Sequence, residues 1–327
     1  MLKSWPRLYL FIVLMFSVAF PASAEFLNIP IVCGQGANAL HGSLMIPSHK
    51  NKPPVVLIVA GSGPTDRDGN NASLNGKNDS LKMLAEELSI AGFATVRYDK
   101  RGVAASVSAA KSEDELRFQT YADDVEAWVN MLSADPRFSR VAIIGHSEGS
   151  TLGMLAAKKT NAAAYVSLAG PAQSASKILR VQLQGKLPPE LAQMNETILK
   201  SLENGKTVTD VPAPLLALYR PSAQPYLISW FPVVPAEVIA QLKMPVAIFQ
   251  GDHDIQVSVS EAEALAKAQP KAKLFIVKGM NHILKDVPLD SAKQVASYSN
   301  PDLLLNAEFL KELISFLRAN LQSSSSN

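Results

Sequence analysis

Five consecutive residues, Gly145-His146-Ser147-Glu148-Gly149, have the types and spacing for nucleophilic chemistry. A serine held on a tight turn between a strand and a helix has an unfavourable backbone, and its neighbours two positions away collide unless they are small. Gly145 and Gly149 occupy those two positions. Such a turn exposes the hydroxyl above a sheet and aims the N-terminus of the following helix at it. The pattern G-x-S-x-G is weak by itself. Its force here comes from the strand expected at 141–144 just before it and the helical stretch at 151–159 just after it.

A serine hydroxyl is a poor nucleophile without a base. Of the five histidines, His282 is expected to serve, because the turn Gly279-Met280-Asn281-His282 follows a late strand at 273–277. His146 reads as packing beneath the serine turn, His253 as a loop or cap-facing residue, and His41 and His49 as parts of the N-terminal strands. The imidazole needs a carboxylate to fix its tautomer and to stabilise the imidazolium. Gly251-Asp252-His253-Asp254 follows the strand at 245–250 and offers two. Asp254 is the expected acid; Asp252, coming straight off the strand, is the competitor and suits capping of its own loop.

The tetrahedral intermediate needs two preorganised N–H donors. One is the amide of Glu148, directly after the serine. The other is assigned to Ser62, with Gly63 second, in the loop Gly61-Ser62-Gly63-Pro64 after an apolar strand at 54–60. Glu148 thus matters through its amide, its carboxylate being left for solvent or a cap residue.

The elements that must position these groups alternate along the chain. Two short strands, 26–32 and 39–46, flank the turn Gly34-Gln35-Gly36. The continuous apolar run at 54–60 has the length of a strand buried on both faces of a parallel sheet. Leu81, Leu84, Ala85 and Leu88 share one helix face, with Asp79 or Ser80 as N-cap and Gly92 as stop. A strand at 93–98 follows, then a helix carrying Val125, Trp128, Val129 and Leu132, led in by Thr120 with an acid three residues on. Further strands at 141–144, 164–168, 245–250 and 273–277, and a long helix at 302–321, complete the alternation. The fold class is α/β, a mainly parallel doubly wound sheet.

The rhythm breaks between Gly170 and Met244. Helical pieces at 174–184 and 191–202 precede a proline-rich, aromatic stretch at 212–235, too long for a simple connection. The domain reading is a core of 25–170 and 245–322 with a helical cap insertion at 171–244. Tyr226, Trp230 and Phe231 in the cap are expected to face substrate.

At 327 residues, with 47% hydrophobic and 18% charged residues, the chain has material for a sizeable core. Lys3 and Arg7, an apolar run at 8–20 and the small residues Pro21-Ala22-Ser23-Ala24 form the pattern of a signal peptide, 1–24, so export to the periplasm or medium is expected. An uncleaved anchor is the alternative, for which the run is short. Loss of two cations and no anions takes the formal charge from +2 to 0, which leaves no electrostatic reason for binding nucleic acid or an anionic membrane. The only cysteine, Cys33, reads as a structural thiol, and no Cys/His cluster has zinc spacing. No cofactor or metal is expected. The tail 323–327 reads as disordered.

The stretches at 61–69 (GSGPTDRDG), 98–102 (YDKRG), 145–149 (GHSEG) and 251–257 (GDHDIQV) together resemble the α/β-hydrolase superfamily, and within it bacterial carboxylesterases related to the serine aminopeptidase-like hydrolases. The resemblance implies Ser147 as nucleophile, Asp254 as acid and cofactor-free hydrolysis of a small-molecule short-chain acyl ester. Relatives often continue RG-x-G-x-S where this chain has Arg101-Gly102-Val103-Ala104-Ala105-Ser106, a change in a loop near the site rim. Asp66, Arg67 and Asp68 read as a loop-fixing ion pair. A peptidase or thioesterase would use the same machinery. The reading from another class is a catalytically silent binding protein, which the completeness of serine, acid, histidine and oxyanion positions weighs against.

Overall fold

The computed structural model describes residues 26–48, 51–73 and 76–322; the expected signal peptide and serine tail lie outside them. Eight strands form one sheet: β1 (Phe26–Cys33), β2 (Leu40–Pro47), β3 (Val55–Val59), β4 (Ala94–Tyr98), β5 (Val141–His146), β6 (Ala164–Leu168), β7 (Val246–Gly251) and β8 (Lys273–Val277). Their spatial order is β1-β2-β4-β3-β5-β6-β7-β8. β1 and β2 pair antiparallel, as do β2 and β4, and every later pairing is parallel. The expected α/β class with a mainly parallel, doubly wound sheet is the one observed.

Every residue of β3 and β5 is buried, because both faces of these strands are covered. Alternate side chains serve opposite layers. Val55, Leu57 and Val59 pack on one side with Val125, Trp128 and Leu152. Val56 and Ile58 pack on the other with Leu81, Leu84, Phe309 and Leu313. The first layer holds helices α2 (Phe118–Ala134) and α3 (Glu148–Lys159), and the second holds α1 (Ser80–Ile90) and the C-terminal helix.

Several helix boundaries differ from the sequence expectation. Neither Asp79 nor Ser80 caps α1 by its side chain; Asp79 is left-handed, φ 51°, and the carbonyl of Asp68 accepts the amides of Leu81 and Lys82 instead. Thr120 lies inside α2, whose first amide, that of Phe118, donates to Ser229 Oγ at 2.8 Å from a distant part of the chain. The C-terminal helix starts at Ala307, not 302, because Leu305 is held extended against Lys285 and the Asn306 side chain caps the amide of Phe309.

Between β6 and β7 the chain forms α4 (Ala175–Leu183), α5 (Pro189–Glu203), α6 (Leu216–Tyr219), α7 (Gln224–Trp230) and α8 (Pro235–Ile239). Leu199, Leu202, Leu215, Tyr219 and Phe231 give this insertion a small core of its own. Its two ends are pinned together: the buried Glu261 carboxylate accepts the amides of Ala172 and Gln173 at 2.7 and 3.0 Å, and the Ala236 amide donates to Ala172 O. Ile239 and Leu242 already belong to the sheet-side core, so the separately packed part ends before α8. After β7 come α9 (Val259–Ala268), then β8, α10 (Ser291–Ser297) and the C-terminal α11 (Ala307–Leu321).

Candidate active site

In the sheet, the chain leaves β3 to one side for β4 and then crosses to β5 on the other side. Ligands of open α/β sheets bind where strand order reverses in this way, outside the carboxyl ends of the strands. β3 and β5 are in register with Val59 opposite Gly145, so the loops that follow them meet. One carries Gly61 and Ser62, the other Ser147.

Ser147 has φ 54° and ψ −121°, a backbone that non-glycine residues rarely hold and that must be imposed by surrounding structure. Its neighbours impose it. A Cβ at Gly145 would overlap the Gly149 backbone, and one at Gly149 would overlap the carbonyls of Val59 and Ala60. The Ser147 amide donates to Leu168 O at 2.9 Å on the adjacent strand, and α3 begins at the next residue. The first amides of a helix have no intrahelical acceptor, so the Glu148 N–H and the positive end of α3 are available beside the serine hydroxyl.

Asp254 and His282 arrive from the loops after β7 and β8. His282 Nδ1 donates to Asp254 Oδ2 at 2.7 Å, and the Asp254 side chain is fully buried. The same carboxylate accepts Gln250 Nε2 at 3.0 Å and the amides of Gln256 and Val257 at 2.7 and 3.0 Å. Burial pushes its pKa up, but the His282 imidazole and these amides outweigh that and hold it below the usual carboxylate range. With the proton on Nδ1, the Nε2 of a neutral His282 is left as an acceptor. Asp252 is directed elsewhere: its Oδ1 caps the Gly279 amide at 2.7 Å.

The turn that presents His282 is built by Asn281, which is wholly buried. Its Oδ1 accepts the amides of Ile283 and Lys285, and its Nδ2 donates to Ser297 Oγ at 3.0 Å. His146 packs under the serine turn and donates Nε2–H to His282 O at 2.7 Å. Burial, followed by the adjacent His282, lowers its pKa to about 4, so it is a neutral strut at ordinary pH. His253 donates Nδ1–H to Val287 O at 2.7 Å and stands outside this group.

Ser62, Ser147 and His282 line one cavity of about 150 Å³. Thr65, Asn71, Asn78, Ser80, Gln256, Ile283 and Tyr298 also line it. Thr65 Oγ1 donates to Ser62 O at 2.7 Å, which holds the loop after β3 in place. Lys285, also buried, joins the loop before α1 to the segment after α10 by donating to Asn78 O at 2.6 Å and Asn300 O at 2.8 Å. Burial lowers its pKa to about 8. Tyr298 OH accepts from Gln256 Nε2. Nothing in the spacing of Tyr298, Asn78 or Lys285 marks them in the sequence, because each reaches the site through a loop without periodicity.

The expectation that Tyr226, Trp230 and Phe231 face substrate is corrected: none of them lines the cavity. Phe231 is buried in the core of the insertion. Trp230 stacks on Phe118, and Tyr226 meets Phe118 at a tilt and Tyr121 edge-on. These aromatics fasten the insertion to α2, since burying their rings against apolar partners stabilises more than exposing them. The charged loop also differs in its partners. Arg67 pairs with Asp99 at 2.6 Å and Asp68 with Arg97, which fix the loop to β4 and the residue after it, while Asp66 Oδ1 accepts the amides of Asp68 and Asn70 within the loop. Cys33 is buried, and its thiol is pushed up to about 11 by burial and then by Asp124. Among the described residues no cluster of His, Cys, Asp and Glu could hold a metal ion, and no helix is long and apolar enough to cross a membrane.

The overall fold is shared with a large set of solved structures. The Butyrivibrio proteoclasticus protein Est1E superposes with TM-score 0.58 at 18% identity, covering 89% of this chain and 99% of that one. The chain has the α/β-hydrolase fold. The Pyrococcus furiosus esterase Pf2001 superposes with TM-score 0.60 at 16% identity, covering 94% of this chain and 96% of that one. A model of the serine aminopeptidase S33 family matches residues 74–220, which include the serine turn and most of the insertion but not Asp254 or His282. In sequence, this hydrolase-fold chain is 28% identical over 265 residues to esterase EstD of Thermotoga maritima, a match that covers 79% of this chain and 62% of the relative's length.

Proposed function

We propose that this α/β-hydrolase is a serine carboxylesterase acting on short-chain esters of small molecules. The observation that carries the reading is the buried 2.7 Å hydrogen bond from His282 to Asp254, in a cavity that both His282 and the strained Ser147 line. Ser147 Oγ attacks the ester carbonyl while His282 Nε2 takes its proton, and Asp254 stabilises the imidazolium. The oxyanion lies between the amides of Ser62 and Glu148, the alcohol leaves with the proton from His282, and water activated by the same imidazole releases the acid. The small cavity favours short acyl groups. Likeness to the esterase EstD supports ester over peptide or thioester substrates. The pattern of Lys3, Arg7, the apolar run and Ala22-Ser23-Ala24 supports an exported enzyme with its leader removed.

Hydrolysis of p-nitrophenyl acetate, butyrate and longer esters by wild type and Ser147→Ala tests the reading. Turnover that declines with acyl length and disappears in the variant is expected. A wild type that turns over none of these but is labelled at Ser147 by a fluorophosphonate would redirect the substrate to peptides or thioesters. Absence of labelling would remove the enzyme altogether.

A further inference from the structure

Lys100 is a buried cation with no part in the acyl transfer just described. It follows β4 in the stretch Tyr98-Asp99-Lys100-Arg101-Gly102, and its side chain is 3% exposed. Its ammonium donates to the carbonyl oxygen of Gly61 at 2.5 Å, lies 3.6 Å from Glu148 Oε1 and sits 5.6 Å from the centre of the Tyr121 ring. Glu148 Oε1 in turn accepts the hydroxyl of Tyr226 at 2.7 Å. Burying an ammonium is costly unless it is paired and hydrogen-bonded, so the fold specifies this placement.

One partner of Lys100 precedes the proposed oxyanion donor Ser62, and the other, Glu148, supplies the second proposed donor. The Gly61 carbonyl and the Ser62 N–H are opposite ends of one peptide group, and the described residues contain no cis peptide bond. In a trans peptide those two groups point in opposite directions across a rigid plane. A cation that holds the carbonyl on one side therefore turns the Ser62 N–H to the other and polarises it. The peptide is already against the serine: a Cβ at Gly61 would lie 3.2 Å from Ser147 Cβ. The other partner, Glu148, supplies the second oxyanion amide, and its carboxylate ties that residue to the same ammonium.

We propose that Lys100 is a positioning residue for the oxyanion hole, orienting and polarising the Gly61–Ser62 peptide and joining it to Glu148. The proposal rests on the esterase reading only in so far as Ser147 is the nucleophile. Lys100→Met leaves the Glu148 carboxylate buried without its cation, so the double variant Lys100→Met/Glu148→Gln, which keeps the Glu148 amide, accompanies it. Three quantities are measured: kcat and KM on p-nitrophenyl butyrate, the inhibition constant of an aliphatic trifluoromethyl ketone, and the rate at which a fluorophosphonate labels Ser147. The ketone and the phosphonate both develop an oxyanion in the hole. The labelling rate requires no particular substrate.

In whichever variant is folded by denaturant midpoint, kcat and the labelling rate are expected to fall about 10- to 100-fold, short of losing a donor outright. The ketone should weaken in parallel while KM stays within about twofold, since the loss is confined to the charged intermediate. Labelling and turnover near wild type in a folded variant overturn the proposal and leave Lys100 as charge balance for Glu148. So does a double variant that regains the activity lost in the single one. A wild type that no fluorophosphonate labels overturns both this proposal and the hydrolase reading. Labelling without ester turnover, slowed in the variants, supports Lys100 while changing only the substrate.

Discussion

The His282 imidazole is held from both ends: its Nδ1 donates to Asp254 Oδ2 at 2.7 Å, while its backbone oxygen accepts the ring of His146 at 2.7 Å. Asp254 sets the tautomer and His146 supports the turn. In Asp254→Asn the amide donates to Nδ1, which places the imidazole proton on Nε2, the nitrogen that the mechanism needs as an acceptor. Turnover should fall about 10⁴-fold with little change in KM. The carboxylate also contributes to stability. Its folded pKa is depressed, so the contribution is present above about pH 4, the unfolded value, and is lost as pH falls through the lower folded value. The urea midpoint gap between wild type and variant should narrow from pH 6 to pH 3.

His146 acts in the same sense on acidification, in a window at higher pH. Its folded pKa, about 4, lies below the ordinary value of 6.5, so between those limits the unfolded chain binds more protons and the folded state gains stability as pH rises. The gain is on the order of 3 kcal/mol across that window, from 1.36 kcal/mol per unit. His146→Gln keeps an N–H for the His282 carbonyl and does not titrate. Its stability should vary less between pH 7 and pH 4 than that of wild type, as read from denaturant curves.

Tyr226 ties the insertion to the floor of the site through its 2.7 Å hydrogen bond to the buried Glu148 carboxylate. Removing the hydroxyl leaves that oxygen with only Lys100 nearby. Tyr226→Phe should cost about 1.5–3 kcal/mol, the range for a hydrogen bond to a charged group, and keep the ring packing on Phe118. A midpoint equal to wild type in guanidinium would show that water replaces the hydroxyl.

Tyr298 lines the cavity, with its hydroxyl engaged by Gln256. Truncation to alanine should lengthen the space for the acyl group. Each additional methylene buried is worth about 0.8 kcal/mol. The ratio of kcat/KM for p-nitrophenyl hexanoate over butyrate is therefore expected to rise about tenfold in Tyr298→Ala. An unchanged ratio would place the acyl group elsewhere.

The parts legible in the sequence are those that depend on a few neighbouring residues. Gly145 and Gly149 around Ser147 announce a turn that larger side chains cannot enter, and the buried runs that became β3 and β5 announce strands covered on both faces. Since loops at the carboxyl ends of parallel strands gather on one edge of the sheet, Ser62, Ser147, Asp254 and His282 could be nominated from their places after strands. Tertiary structure alone decided which partner each loop residue meets. Asp252 and Asp254 are two residues apart, yet one caps Gly279 and the other takes His282. Tyr226 and Trp230 read as substrate-facing but pack against Phe118 of α2, and Lys100, given no role from its place in 98–102, donates to the Gly61 carbonyl. Turns and strands follow from local sterics and periodicity. Contacts between loops follow from long-range packing, which no short window of the chain records.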